Sequence, residues 1–129
     1  MPIICVDRST NFRHITLLGR LDVLGAEEIA QTLDNLVNND KKHVIVYLIG
    51  VTCLSSHSIR LLIKSAYTQR KMGGRMVLLV GSNILVGKML MLAGINRYVP
   101  VFNTYQDAEQ VLMGSRSLVN ESDIAEFAY

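Results

Sequence analysis

The chain has 129 residues, which is enough for one domain with a sizeable core, and 50% of them are hydrophobic. Its 13 basic and 11 acidic side chains leave a net charge of +2, and this balance argues against a dedicated nucleic-acid-binding protein. No apolar run approaches the roughly 18 to 20 residues that span a bilayer, and the N-terminal residues lack the features of a secretory signal. We therefore expect a soluble, cytoplasmic protein.

The first half of the chain predicts a strand pair, a helix and a long strand. Two short β-type runs, Ile3–Val6 and residues 14–19, flank a polar turn. Residues 24–40 carry apolar side chains three and four positions apart, which is typical of an amphipathic helix. Residues 43–51 form a nearly continuous β-branched run, so we expect a central strand with a neighbour on each side.

The second half predicts alternating helices and strands. Gly94 is placed to cap the carboxyl end of one helix, and Thr104 can cap the start of another. Pro100 favours a sheet edge because it cannot donate to the ladder. The apolar helix before Gly94 is expected either to be all core or to leave Met89 or Met91 exposed for a partner. The first predicted helix of this half has its apolar face at Ile59, Leu62, Ile63 and Ala66 and ends at the glycine pair 73–74, and a strand over 75–81 follows it. The next helix covers 83–94, with its cap at Ser82 or Asn83, and is followed by a strand over 98–102. The last helix covers 104–114, with Ala108, Val111 and Leu112 on one face.

The predicted order is β-β-α-β-α-β-α-β-α, and this alternation favours an α/β fold with a mixed, mostly parallel sheet packed against helices. One layer of helices on one sheet is the expected architecture. Residues 1–114 are expected to form the single domain, and residues 115–129 a C-terminal tail or a short extra helix.

Motifs that would indicate a cofactor or a metal are missing from the sequence. Neither a Walker-type loop nor a GxGxxG sequence is found, so no nucleotide site is expected. His14, His43 and His57 lie far from one another and from cysteine, without metal-ligand spacing. Cys5 and Cys53 form no CxxC pair and are expected to be buried free thiols.

A serine hydrolase is also disfavoured. Ser56, one of the histidines and Asp22 are the available candidates for nucleophile, base and orienting acid. At the start of a helix the adjacent side chains of Ser56 and His57 would point about 100 degrees apart, which is poor geometry for a nucleophile and its base. We expect no enzymatic activity.

The loop after the predicted central strand reads Cys-Leu-Ser-Ser-His-Ser, at residues 53–58. Ser55 is a natural N-cap, which makes Ser56 the first helical residue. Serines are common at the start of helices because they cap them, so their presence here does not by itself indicate a regulatory site. A phosphate on Ser56 would nevertheless be tolerated by the helix dipole and would add close to two negative charges to the surface.

The chain from about residue 3 to residue 113 resembles the STAS domain family in the order and spacing of several short motifs. Within that family it resembles the bacterial anti-sigma factor antagonists, also called anti-anti-sigma factors. The motifs are GRLD (19–22), AEEIAQTLDNLV (26–37), HVIVYLIGVTCLSS (43–56), KMGGRMVLLVG (71–81), LMLAGINRYVPVF (90–102) and TYQDAEQVL (104–112).

The resemblance implies a switch in the loop after the central strand. In that family the loop typically reads Asp-Ser-Ser/Thr-Gly, and its first serine is phosphorylated by a partner that is both anti-sigma factor and kinase. The unphosphorylated form captures this partner, phosphorylation breaks the capture, and a phosphatase resets it. The resemblance places Ser56 at the phosphorylated serine and Asp22 at an acidic residue near the loop.

This chain departs from the family pattern around Ser56. Ser55 stands where the family has Asp, His57 where it has Ser or Thr, and Ser58 and Arg60 where it has Gly. Arg60 lies four residues after Ser56 on the same helical face, where it could pair with a phosphate or fill space that the partner needs.

The resemblance therefore implies a protein-binding module that sequesters an anti-sigma factor with serine kinase activity, a histidine-kinase-like ATPase, with a PP2C-type phosphatase as a further partner. The alternatives are a STAS scaffold that is not phosphorylated and a small-molecule- or lipid-sensing STAS module. Neither nucleic acid nor membrane is an expected partner. The implied partner-binding residues are Arg20, Asp22, Ser55, Ser56, His57, Ser58 and Arg60, with Ser56 as the phosphorylation site.

Overall fold

The computed structural model describes residues 3–6, 12–38 and 43–113, and of residues 3–6 the backbone only. The predicted tail over 115–129 lies outside these residues. The predicted α/β class and element order are confirmed. The elements are β1 (Ile3–Val6), β2 (Phe12–Leu21), α1 (Val23–Asn38), β3 (His43–Leu54), α2 (Ser56–Lys71), β4 (Met76–Leu79), α3 (Ile84–Ala93), a 3-10 helix (Ile95–Arg97), β5 (Val101–Phe102) and α4 (Tyr105–Met113).

The strands form one sheet in the order β1-β2-β3-β4-β5. β1 pairs with β2 antiparallel, and the other neighbouring strands pair in parallel. β3 is therefore the central strand, as its apolar run predicts. β5 lies at the edge, and Pro100 directly precedes it and uses its carbonyl to accept a hydrogen bond from Leu78 N at 2.9 Å.

Helices cover both faces of the sheet. On one face α1, α2 and α3 contribute Ile29, Leu33, Leu62 and Leu90 to the larger core cluster. On the other face α4 packs against the strands. The expectation of a single helical layer did not include this second face. The α4 contacts come from the predicted residues Ala108, Val111 and Leu112, which pack with Phe12, Ile45, Val77, Leu79 and Phe102.

Four predicted strands have different bounds in the structure. β2 is longer than the predicted 14–19, and β4 is shorter than the predicted 75–81. The central strand extends past residue 51 to Leu54, because β2 continues to pair with it as far as Leu21 opposite Leu54. The predicted strand over 98–102 is limited to Val101–Phe102. Its first residues instead continue the 3-10 helix, since the amides of residues 98 and 99 both donate to Ile95 O, at 2.8 and 2.9 Å.

The buried stripe of α2 differs from the predicted apolar face. Ser58, Leu62, Ser65 and Gln69 are the buried positions, whereas the neighbouring aliphatic residues are only partly buried. Cys53 is also only partly buried, which corrects the expectation of a buried thiol, because its partner in β2 is the exposed Arg20. The side chain of Cys5 lies outside the described part of the chain.

Within the described residues, no helix is long and apolar enough to cross a membrane.

Candidate functional site

Two helices begin side by side at the carboxyl ends of the parallel strands β2 and β3. Asp22 follows β2 and precedes α1, and Ser55 follows β3 and precedes α2. Leu21 lies opposite Leu54 in the β2–β3 register, so Asp22 and Ser55 leave the sheet at the same level. The sheet therefore brings together the two segments on which the resemblance places an acidic residue and a phosphorylated serine.

Asp22 is the cap of α1. Its Oδ1 accepts a hydrogen bond from Gly25 N at 2.9 Å, and its backbone carbonyl accepts one from Ala26 N at 2.8 Å. Arg20 Nε donates to Asp22 Oδ2 at 3.4 Å in an exposed pair. The hydrogen bond from Gly25 N, assisted by Arg20, holds the pKa of Asp22 below its ordinary value. A fixed negative charge therefore stands beside the start of α2.

Gly25 allows α1 to approach β2 closely. A Cβ atom at this position would collide with the backbone carbonyl oxygen of Arg20 and would lie 3.4 Å from Asp22 Oδ1. A backbone oxygen cannot rotate away as a side chain can. The glycine is thus required for the position of Asp22, and sequence reasoning missed it.

Ser55 and Ser58 form a capping box at the start of α2. Ser55 Oγ accepts from Ser58 N at 3.2 Å, and Ser58 Oγ accepts from Ser55 N at 2.9 Å. Ser58 Oγ also donates to Ser55 O at 2.8 Å. Ser55 is confirmed as the N-cap. Ser58, however, is 1% exposed, so its hydroxyl supports the helix from inside and is not part of the accessible surface implied by the resemblance.

Ser56, His57 and Arg60 remain exposed on the first turns of α2. Ser56 is the first helical residue, as predicted. His57 and Arg60 border a shallow groove of about 280 Å³ between α1 and α2. Its remaining lining comes from Ala26, Glu27, Ala30, Leu61 and Lys64. Five of the seven implied partner-binding residues, Arg20, Asp22, Ser56, His57 and Arg60, thus have accessible side chains at this end of the α1–α2 pair.

Asn83 holds the third helix at the same end of the sheet. Its Oδ1 accepts from Val86 N at 3.2 Å and caps α3. Its amide nitrogen donates to the carbonyls of Leu48, Ile49 and Val51 in β3, at 3.0, 3.1 and 2.8 Å. The cap is one of the two predicted alternatives. The bonds to β3 were missed because their acceptors lie more than 30 residues away and are free only where β4 has ended.

Two of the three histidines make hydrogen bonds within the fold. His14 is buried on the α4 face, where its Nδ1 lies 2.7 Å from the Tyr47 hydroxyl and its ring stacks on Tyr47 and Tyr105. His43 Nδ1 accepts from Arg75 N at 3.1 Å. Among the described residues no group of three or more His, Cys, Asp or Glu side chains could hold a metal ion.

The sequence model of the STAS domain matches residues 4–108, and the chain belongs to the STAS domain family. No curated protein matches it. The chain is similar to the crystal structure of an anti-sigma factor antagonist from Mycobacterium paratuberculosis, with 17% identity, a TM-score of 0.74 and coverage of 85% of this chain and 92% of that one. It is also similar to an anti-sigma factor antagonist (STAS) domain protein from Planctomyces limnophilus, with 22% identity, a TM-score of 0.67 and coverage of 82% and 93%.

A third similar structure is the anti-sigma factor antagonist SpoIIAA in its unphosphorylated form. The identity is 18% and the TM-score 0.69, over 89% of this chain and 99% of that one. The Bacillus cell fate determinant SpoIIAA is also known in a phosphorylated form, with a TM-score of 0.61 to this chain, 17% identity and coverage of 84% and 96%. At such identities the likeness shows the fold.

Proposed function

We propose that this protein is a non-enzymatic antagonist that sequesters an anti-sigma factor with serine kinase activity, and that phosphorylation of Ser56 releases this partner. One observation carries the proposal. Of the three serines around the start of α2, Ser56 is exposed, whereas the hydroxyl groups of Ser55 and Ser58 are engaged in the capping box. A kinase that approaches the start of α2 therefore meets one available serine hydroxyl there.

The electrostatics of the surface support a charge switch. Asp22 already supplies one negative charge beside the start of α2, where Arg20 pairs with it in an exposed contact. A phosphate on Ser56 would add close to two more, which would repel a partner that tolerates the single charge. The start of α2 can accept this phosphate without unfolding, because the dipole of a helix favours negative charge at its N-terminus.

His57 and Arg60 adapt the surface to a particular partner. Both are exposed and border the α1–α2 groove, at positions where the family pattern has small residues. A partner must therefore leave room for an imidazole and a guanidinium, and an acidic group on the partner would match Arg60. We expect the partner to be a cytoplasmic histidine-kinase-like ATPase, with a PP2C-type phosphatase to reverse the modification.

The test is phosphorylation by the kinase-type anti-sigma factor of the same organism. The protein is incubated with ATP and this kinase, and the intact mass is measured for wild type and for Ser56→Ala. We expect one phosphate on the wild type and none on the variant. An unmodified wild type would favour the alternative of a constitutive STAS scaffold, and a phosphate that persists in Ser56→Ala would place the modification elsewhere.

A further inference from the structure

A second groove runs along α3, away from the start of α2. It has a volume of about 910 Å³ and lies between α3 and the carboxyl ends of β4 and β5. Apolar side chains dominate its lining. They include Val80, Ile84, Met91, Leu92 and Val101, and Lys88 also borders the groove.

The α3 side of this groove exposes large apolar side chains. Ile84 is 72% exposed, Met91 60% and Leu92 89%. The interpretation of this helix as entirely core is therefore wrong, and its alternative, an exposed Met91, is confirmed. Single exposed apolar residues are ordinary, but several along one groove indicate a surface that something covers.

Gly87 keeps the floor of the groove open. A Cβ atom there would meet Val80 Cγ2 at 3.8 Å, an ordinary contact, so nothing in the packing excludes alanine. Glycine in a helix interior costs about 0.5–1 kcal/mol relative to alanine. With glycine at this position, that part of the groove is lined by the helix backbone and Val80.

The charge in the lining of the groove is positive. Lys88 is the charged residue in its lining and is exposed. It has no ion-pair partner among residues 12–38 and 43–113. An occupant that suits this groove is mainly apolar and carries carboxylates.

Residues 118–129 of this chain, which lie outside the described residues, have this chemistry. Their sequence is LVNESDIAEFAY, with three acidic side chains and no basic one. The apolar side chains Leu118, Ile124 and Phe127 alternate with the acidic Glu121 and Glu126. Such a segment can place aliphatic and aromatic groups in the groove while a carboxylate faces Lys88.

The segment is also within reach of the groove. α4 begins two residues after Asn103, which lines the groove, and its nine residues rise by about 13 Å. The linker at residues 114–117 spans up to about 14 Å when extended. It can therefore return the chain to the level at which α4 began.

The groove between α1 and α2 offers more basic side chains, but it is harder for this segment to reach. The α3 groove is partly lined by Val101 and Asn103 at the edge strand β5, directly before α4, whereas the α1–α2 groove is lined by residues of α1 and α2 alone. Reach favours the α3 groove, which also lacks the carboxylate that Glu27 adds to the α1–α2 groove. We propose that residues 118–129 dock in cis in the groove along α3, with their carboxylates facing Lys88.

The test uses the absence of tryptophan from the chain. Phe127→Trp in the 129-residue chain gives a single tryptophan, which is excited selectively over the five tyrosines, and its emission is compared in the folded state and in guanidinium chloride. We expect the folded emission to be blue-shifted and shielded from acrylamide. Emission that matches the unfolded state would overturn the proposal.

Two matched charge reversals locate the docking site in the Phe127→Trp background. Lys88→Glu is expected to remove most of the blue shift, because it turns the attraction to the acidic segment into repulsion, whereas Lys64→Glu in the α1–α2 groove is expected to leave it unchanged. The reverse pattern would overturn the proposal, as would a blue shift that neither variant alters. Circular dichroism of each variant shows that the fold is retained.

Oligomeric state separates docking in cis from docking between copies. In cis the blue shift is independent of protein concentration, and the protein elutes as a monomer in light-scattering chromatography. A shift that grows with concentration together with a dimer would contradict docking in cis. None of these readouts depends on Ser56 or on an anti-sigma factor, so the proposal can fail independently of the proposed function.

Discussion

Two helical glycines, Gly25 and Gly87, should respond in opposite directions to the same substitution. Neither has a positive φ, so alanine is compatible with both backbones, and in an unstrained helix it should stabilise by about 0.5–1 kcal/mol. At Gly87 the added Cβ lies 3.8 Å from Val80 Cγ2, so this gain should be realised. At Gly25 the Cβ collides with the carbonyl oxygen of Arg20.

The collision at Gly25 carries a cost from overpacking and a cost from the cap. Overpacking typically destabilises by about 1–3 kcal/mol. A shift of the first turn of α1 would also weaken the hydrogen bond from Gly25 N to Asp22 Oδ1, and an N-cap is worth about 1 kcal/mol. After the gain in helix propensity, Gly25→Ala should destabilise by about 1–3 kcal/mol.

Urea unfolding of the wild type and both variants measures the difference directly. Gly87→Ala should raise the urea midpoint and Gly25→Ala should lower it, and in thermal unfolding each kcal/mol should shift the melting temperature by about 4 °C. If Gly25→Ala were as stable as the wild type, the close approach of α1 to β2 and the position assigned to Asp22 would be refuted.

Three further predictions concern the caps and the pH dependence. Asn83→Ala should cost about 2–3 kcal/mol in urea unfolding, since it removes a cap and the amide that serves the β3 carbonyls, and a loss below about 0.5 kcal/mol would contradict this role. Ser58→Ala should lower the unfolding free energy by about 1–2 kcal/mol, whereas Ser56→Ala should change it by less than about 0.5, and equal effects would contradict the capping box. Burial, assisted by the charge of Arg75, lowers the pKa of His43 from 6.5. The unfolded state then binds the proton more readily, so stability should be full above this value and fall as the pH drops below it, because protonation also removes the acceptor for Arg75 N. His43→Asn should flatten the dependence measured from about pH 7.5 to about pH 5.5, and a profile identical to that of the wild type would contradict this cause.

Local signals predicted the central strand, one edge of the sheet and most of the helix ends. The β-branched run at 43–51 predicted the central strand, Pro100 predicted the edge, and Gly94 is the left-handed cap of α3. The failures have a common cause. The length of β3, the buried serines of α2 and the bonds of Asn83 all depend on contacts between segments distant in sequence, which the pattern of one segment does not contain.

At the candidate site, too, local sequence signals predicted some features, whereas others depended on contacts between distant segments. Capping chemistry alone predicted Ser55 as the N-cap, and the resemblance pointed to Ser56 and Asp22. The β2–β3 register was needed to place Asp22 and Ser55 side by side, and the hydrogen bonds were needed to show that Ser58 is engaged. Gly25 escaped notice because its close contact with the Arg20 carbonyl arises from the turn between strand and helix.

The central claim is that the unphosphorylated start of α2 captures a kinase-type anti-sigma factor and that a phosphate on Ser56 ends the capture. Isothermal titration of this partner into unphosphorylated and Ser56-phosphorylated protein tests it most directly. We expect binding to weaken at least about tenfold on phosphorylation, or by about 1.4 kcal/mol, and to recover after treatment with a phosphatase. Equal affinity of the two forms would contradict the account.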